Sequence, residues 1–168
     1  MPESNVSQGW DLFLDDDRRT SVYAKNTDSL VWVADQRNGG EFALLQVDPL
    51  SGVWVVRSRF PAGTRVQTHL HSGAVTSVTL AGRWSYPEAG VFCGPGDFLV
   101  EEAAAIHSLV VLDQDADILF TISGSITYFG PRNEVEYIED WRTVLAEYVE
   151  GCNALNQRPE VLGDPYVR

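Results

Sequence analysis

Three histidines, His69, His71 and His107, are the residues of this sequence best suited to chemistry, and the chain has no others. One residue separates His69 from His71, so on a β-strand both side chains point to the same face. His107 follows after a hairpin-like segment, as expected of a third imidazole that reaches the same site from a neighbouring strand. Three imidazoles bind iron, zinc, copper or nickel and leave coordination positions open for water or substrate. We therefore predict a three-histidine metal site; the alternative is three unrelated histidines on the surface or in the core.

The residues around these histidines resemble the two sequence motifs of the cupin superfamily. The first motif is matched by Gly63, His69, His71 and Gly82, and the second by Gly96, Asp97 and His107. Val75 stands where the first motif has an acidic residue. Between Glu101 and His107, the segment Glu-Ala-Ala-Ala-Ile lacks the proline and glycine of the second motif. The resemblance covers about residues 40–130 and implies a jelly-roll β-barrel.

A narrower likeness concerns cupins that have three histidines and no acidic ligand. With residues 80–86, Leu-Ala-Gly-Arg-Trp-Ser-Tyr, between its motifs, the chain looks like the dioxygenases that cleave 2,4'-dihydroxyacetophenone and acetylacetone. This likeness implies ferrous iron, with zinc, manganese or nickel as alternatives. It also implies oxygen-dependent cleavage of a carbon–carbon bond next to a carbonyl, in an α-hydroxyketone or β-diketone.

Such a reaction requires a group that removes a proton from the metal-bound ketone. Glu101 is the first candidate for this base or relay and Tyr86 the second, because both lie in segments that approach the histidines and both exchange protons. A structural hydrogen bond is the alternative role of each. Strand alternation suggests which side chains line the substrate pocket. We place there Val75, Gln67, Thr79 and Trp84, although core packing is the safer interpretation of the tryptophan.

The composition restricts the partners that the chain can bind. A net charge of −12 in 168 residues disfavours binding to nucleic acid or to an anionic membrane surface. The sequence has neither the roughly 20 consecutive apolar residues of a spanning helix nor the features of a signal peptide, so we expect a cytoplasmic protein. Cys93 and Cys152 are expected to be free thiols. The predicted partners are a small-molecule substrate and dioxygen.

The rest of the pattern indicates one all-β domain over residues 1–168. Short apolar segments at regular spacing, with glycine at most junctions, favour a closed or double-sheet β architecture. Strands are predicted at residues 30–34, 42–47, 53–60, 74–80, 83–86, 98–101, 106–112, 118–123 and 126–129. A C-terminal helix is predicted over about 138–150, with Asp140 in its first turn and Gly151 as its stop.

The N-terminal arm has alternating apolar residues, Trp10, Leu12 and Leu14, that suit a sheet edge or a partner subunit. Together with the family resemblance, this arm predicts a homodimer or homotetramer. Two other functions stay open. One is a metal-dependent isomerase, lyase or hydrolase that needs no dioxygen, and the other is a non-catalytic sensor or binding domain. Cupin-like folds host all of these classes, so the fold does not choose among them.

Overall fold

A computed structural model describes residues 24–27 and 29–162 of the chain. Within these residues, thirteen strands, one α-helix (α1) and one 3₁₀ turn at Pro87–Ala89 form the regular structure. They are β1 (Val33–Ala34), β2 (Glu41–Asp48), β3 (Val53–Phe60), β4 (His69–His71), β5 (Val75–Ala81), β6 (Trp84–Tyr86), β7 (Val91–Cys93), β8 (Phe98–Glu101), β9 (Ile106–His107), β10 (Val110–Val111), β11 (Ala116–Ser123), β12 (Ile126–Phe129), β13 (Val135–Glu139) and α1 (Trp141–Ala154).

The strands form three antiparallel sheets. The largest has the order β1-β2-β3-β11-β5-β8, the second β13-β12-β4-β9, and the smallest β10-β6-β7. Strands distant in sequence are therefore neighbours, as β11 is between β3 and β5. The predicted all-β jelly-roll barrel with one C-terminal helix is confirmed, while the predicted N-terminal arm lies outside the described residues.

The barrel interior follows from the alternation of side chains along β3 and β11. Every second residue of each strand is buried. The register places Trp54 opposite Ile122 and Val56 opposite Phe120, so large apolar side chains from the two strands meet on one face. These four side chains line the interior of the barrel.

Helix α1 begins with a capping box. The Asp140 carboxylate accepts hydrogen bonds from the backbone N–H groups of Arg142 and Thr143, and the Thr143 hydroxyl accepts one from the Asp140 N–H. The helix packs against the outside of the barrel and buries Trp141, Val144, Leu145, Tyr148 and Cys152. The Tyr148 hydroxyl donates to the Val31 carbonyl at 2.8 Å.

Several predicted bounds differ from the structure. Residues 138–139 belong to β13, and α1 continues past Gly151 to Ala154. Gly151 lies inside the helix for a packing reason, because a Cβ there would lie 2.7 Å from the Val33 side chain. The predicted strand 106–112 is divided into β9 and β10. Strand β7 was not predicted.

Within the described ranges, no helix combines the length and the apolar character that crossing a bilayer requires.

Candidate metal centre

The position of β4 in its sheet brings the three histidines together. β4 lies between β12 and β9, and its pairing with β9 places His69 opposite His107. Alternation along β4 turns His71 to the same side as His69. One ligand atom from each histidine lies within 4.8 Å of the other two, and the side chains are only 3–6% exposed. The predicted convergence of the three imidazoles is confirmed.

Burial and the neighbouring groups set the protonation state of His69. Its Nδ1 lies 2.7 Å from the Gln67 carbonyl oxygen, so a protonated Nδ1 donates there and leaves Nε2 as the free ligand atom. Burial lowers the pKa of His69 to about 4, and proximity to His71 and His107 acts in the same direction, against the hydrogen bond with Gln67. The imidazole is therefore neutral near pH 7, which is the form that binds a metal.

Glu101, at the end of β8, extends its carboxylate into the histidine cluster. Its Oε2 lies 2.9 Å from His71 Nε2 and 3.0 Å from His107 Nε2, and the side chain is 5% exposed. Burial by itself raises the pKa of Glu101, but contacts with His107 and His71 outweigh this effect and hold it at about 2. Glu101 is directly opposite Val75 in the β5–β8 register. A carboxylate therefore reaches the histidine cluster from the strand adjacent to Val75.

The buried polar atoms of this cluster fit a bound cation. Within the described part of the chain, His71 Nε2, His107 Nε2 and Glu101 Oε2 have short mutual distances but no partner with hydrogen-bond geometry. Buried polar atoms are rarely left unpaired, and nitrogen and carboxylate ligands suit a divalent transition metal. Three histidines, with Glu101 as a candidate fourth ligand, therefore form a site able to hold such an ion.

Tyr86 on β6 supports both Glu101 and His107. Its hydroxyl donates to Glu101 Oε1 at 2.7 Å, and its ring stacks on the His107 imidazole with centroids 3.8 Å apart and planes 14° from parallel. Burial and the Glu101 charge raise the pKa of Tyr86 well above its usual value. The tyrosine is thus a neutral donor that orients the carboxylate.

The turn before His107 keeps its shape without the proline and glycine of the family motif. Ala104 occupies the motif's glycine position and adopts a φ of 68°, which costs an L-residue roughly 1–2 kcal/mol. Backbone hydrogen bonds fix the turn to β4, from the Ala104 N–H to the His71 carbonyl at 2.8 Å and from the His71 N–H to the Ala105 carbonyl at 3.2 Å. Pairing with β4 therefore overrides the local preference of the alanine.

A cavity of about 80 Å³ adjoins the cluster, with space for roughly five to eight water molecules. His69, His71, Tyr86 and Glu101 lie at its inner end. Apolar side chains, Phe42, Trp54 and Phe120 among them, form most of its wall. The cavity is thus a small chamber with apolar walls and polar groups at both ends, and a few polar groups in an apolar cavity are common for ligand sites.

The outer end of the cavity is polar and partly accessible. Among the described residues that line it, Asp35, Asn38, Glu139 and Glu147 are partly exposed, and the others are buried. These four come from the β1–β2 turn, β13 and α1. Sequence reasoning missed them, because no motif or local spacing links residues about one hundred positions apart.

The four side chains predicted for the substrate pocket lie elsewhere, outside the described set that lines this cavity. Trp84 is fully buried and donates from Nε1 to the Thr79 hydroxyl at 2.9 Å, so both fill the barrel interior, as does buried Val75. Gln67 precedes β4, and its amide donates to the Phe129 carbonyl and to Glu136. The alternation assumed for Gln67 fails because β4 begins only at His69.

Comparison with solved structures supports the fold. An RmlC-like cupin protein from Ralstonia eutropha JMP134 has a TM-score of 0.78 at 21% identity, covering 85% of this chain and 96% of that one. An acetylacetone dioxygenase from Acinetobacter johnsonii has a TM-score of 0.70 at 18% identity, covering 77% and 92%. The polyketide cyclase RemF from Streptomyces resistomycificus has a TM-score of 0.51 at 14% identity, covering 77% and 98%. At these identities the likeness shows the fold alone.

Sequence comparison gives the family. None of the curated proteins matches the sequence at a significant level. Residues 20–127, well over half of the chain, match the sequence profile of the ChrR cupin-like domain. This match includes all three histidines, Tyr86 and Glu101. The chain therefore belongs to the ChrR cupin-like domain family.

Proposed function

We propose that this protein is a metal-dependent dioxygenase that cleaves a carbon–carbon bond next to a carbonyl in an α-hydroxyketone or β-diketone. The observation that carries the proposal is a buried cluster of three histidines, two of which, His69 and His71, line a small cavity with apolar walls. Ferrous iron is the proposed metal, with zinc, manganese or nickel as alternatives. The fold shared with an acetylacetone dioxygenase is consistent with this chemistry.

When bound, the metal would polarise the substrate carbonyl and, as iron, make dioxygen reactive. The chain itself supplies the proton transfer. Glu101 is ionised near neutral pH, since contacts with His107 and His71 hold its pKa at about 2, and it lines the cavity together with His71. A carboxylate there is placed to accept a proton from the carbon between the two carbonyl groups of a β-diketone, or from the hydroxyl-bearing carbon of an α-hydroxyketone. Tyr86 donates to the other carboxylate oxygen and fixes its orientation.

The cavity volume favours the smaller substrates of this class. A space for roughly five to eight water molecules suits a β-diketone with a few carbons better than an aromatic hydroxyketone. The apolar walls remove water from the inner end, which strengthens the electrostatic effect of each charged group there.

Oxygen uptake tests the proposal. The metal-free protein is loaded anaerobically with ferrous iron, mixed with acetylacetone or 2,4'-dihydroxyacetophenone, and then exposed to air in an oxygen electrode. We expect uptake above a control with free iron, and faster uptake with acetylacetone. If no hydroxyketone or diketone in a panel gives uptake above the free-iron control, the dioxygenase proposal is wrong.

The second candidate is a metal-containing sensor or binding domain, which the match to the ChrR cupin-like domain favours. A sensor needs the metal to shape the pocket but does not need a base beside it. Glu101 lines the cavity at the histidine cluster, which favours catalysis. A metal-dependent isomerase, lyase or hydrolase would show turnover without dioxygen, and product analysis under argon separates it from the dioxygenase.

We also infer a homodimer or homotetramer. β8 is an edge strand of the six-stranded sheet, and its outward side chains Phe98 and Val100 are 65% and 60% exposed. An apolar edge strand of this kind is suited to pairing with a second copy. Analytical sedimentation of the wild type and of a Phe98→Lys variant measures the oligomeric state. We expect the variant to dissociate, and a monomeric wild type would contradict the inference.

A further inference from the structure

We propose that the acidic mouth of the cavity, formed by Asp35, Glu139 and Glu147, selects uncharged or cationic substrates and excludes anionic ones from the metal centre. This inference rests on the proposed function, because it assigns a substrate class to the same cavity. The mouth would admit diketones and amine-bearing ketones and exclude keto acids. A keto acid also offers two oxygens to a metal, but its carboxylate makes it an anion.

The position of the mouth supports the inference. Asp35 follows β1, Glu139 ends β13 and Glu147 lies in the middle of α1, so three separate elements surround one end of the cavity. The lining residues nearer the histidines are buried. Among the described lining residues, these carboxylates and Asn38 are the ones open to solvent, whereas the unpartnered atoms of His71 and Glu101 are buried. The carboxylates therefore mark the expected point of entry for a ligand.

Asp35 is held in place by its own turn. Its carboxylate accepts hydrogen bonds from the backbone N–H groups of Arg37 and Asn38, at 3.0 and 2.8 Å, and from the Asn38 side-chain amide at 3.3 Å. A charge fixed in this way keeps its place when a ligand approaches. The Asp35 carboxylate is thus a preformed part of the mouth.

The carboxylates at the mouth repel one another. Burial and the Asp35 charge raise the pKa of Glu139 to about 7, and the same two causes raise the pKa of Glu147. The Arg37 guanidinium, stacked 3.6 Å above the Tyr137 ring, opposes these shifts but leaves both upward. An anionic ligand would add to this repulsion, whereas an uncharged or cationic ligand would not.

The test measures how fast small ligands reach the metal, without turnover. The protein is loaded with Co²⁺, and binding of azide, an anion, or imidazole, mostly uncharged at pH 8, is followed by stopped-flow absorption. The variant is Glu147→Gln, which keeps the shape and removes one charge. The matched control is Glu150→Gln, an exposed residue of the same helix outside the cavity lining. Metal content is measured in every sample.

We expect Glu147→Gln to increase the azide association rate roughly threefold or more and to leave the imidazole rate unchanged. Glu150→Gln should have a smaller effect on azide, because solvent and salt screen its charge. In the wild type, added salt should accelerate azide and not imidazole, which tests the inference without any substitution. Acetoacetate, an anion, should behave like azide, and acetylacetone, an uncharged chelator of equal size, should behave like imidazole.

The inference is overturned if azide association responds neither to Glu147→Gln nor to salt. It is also overturned if both ligands accelerate equally, since that would indicate a wider opening, or if neither ligand reaches the metal. Because these measurements need no dioxygen and no reaction, they are independent of the oxygen-uptake assay. Absent uptake with intact charge discrimination would reject the dioxygenase and keep the acidic mouth.

Discussion

The inner and outer ends of the cavity each contain a glutamate that accepts a hydrogen bond from a tyrosine hydroxyl. At the inner end Tyr86 donates to Glu101 at 2.7 Å, and at the outer end Tyr128 donates to Glu139 at 3.1 Å. Burial acts to raise both pKa values, yet Glu101 has a pKa of about 2 and Glu139 one of about 7.

The difference comes from the other neighbours of each carboxylate. Glu101 contacts two histidine nitrogens that stabilise its charged form, whereas Glu139 is close to the Asp35 carboxylate, which destabilises it. Burial and the Asp35 charge together keep the pKa of Glu139 high, whereas at Glu101 the histidine contacts outweigh burial. The inner end is suited to holding a cation and accepting protons, and the outer end to controlling which ligands pass.

The largest effect is expected from removing one of the three histidines at the inner end of the cavity. His69→Ala should abolish stoichiometric metal binding, because two imidazoles are left at the site. Gln67→Ala is the matched control, since Gln67 contacts His69 through its backbone carbonyl, and it should retain the metal. Elemental analysis of the purified proteins measures both. One tightly bound metal per chain in His69→Ala would remove His69 from the set of ligands.

The next largest effect separates the two glutamates. Glu101→Gln should lower the rate of oxygen uptake by about 10²–10⁴, the usual contribution of a general base, whereas Glu139→Gln should change it by less than about tenfold. Glu102→Gln is the control, because Glu102 is an exposed carboxylate next to Glu101 in sequence. The metal content of each variant is measured together with its rate. Equal losses in Glu101→Gln and Glu139→Gln would contradict the division of roles.

Glu139 should also make the free energy of unfolding depend on pH. Since folding raises the pKa of Glu139 from 4.5 to about 7, its protonated form favours the folded state. This contribution is fully present below pH 4.5 and is lost as pH rises through 7, by up to roughly 3 kcal/mol. Glu139→Gln should therefore reduce the decline in the free energy of unfolding between pH 4.5 and 7.5.

Urea unfolding of metal-free wild type and Glu139→Gln across this range provides the measurement. His69 acts in the opposite direction, because its pKa is lowered from 6.5 to about 4 on folding and its contribution is lost as pH falls. The difference between the two proteins at each pH cancels the histidine effect. A difference that stays constant with pH would contradict the raised pKa of Glu139.

The smallest expected effect concerns the turn that joins Glu101 to His107. Ala104→Gly should stabilise the fold by about 0.5–1 kcal/mol, because glycine adopts the positive φ of this position without strain. Ala103, the residue before Ala104, does not have a positive φ. Ala103→Gly should therefore destabilise the fold. Urea unfolding at pH 7 measures both changes. Equal destabilisation by the two variants would show that Ala104 is not strained.

Much of the fold follows from local pattern. β3, β8 and β12 have the predicted bounds, because their apolar residues alternate between clear turn signals. Prediction was less accurate where tertiary contacts outweigh local preference. α1 continues through Gly151 because the glycine allows close packing on Val33, and β13 takes residues that local pattern assigns to the start of the helix.

What the sequence by itself determined is the histidine pair, because two residues one position apart on a strand must share a face. It also suggested that Glu101 and Tyr86 approach the site. Only the tertiary structure decided that Glu101 lies opposite Val75 with its carboxylate among the histidines. It also decided that Asp35, Glu139 and Glu147 line the same cavity. Charges far apart in sequence act together only after folding, since their interaction depends on distance in space.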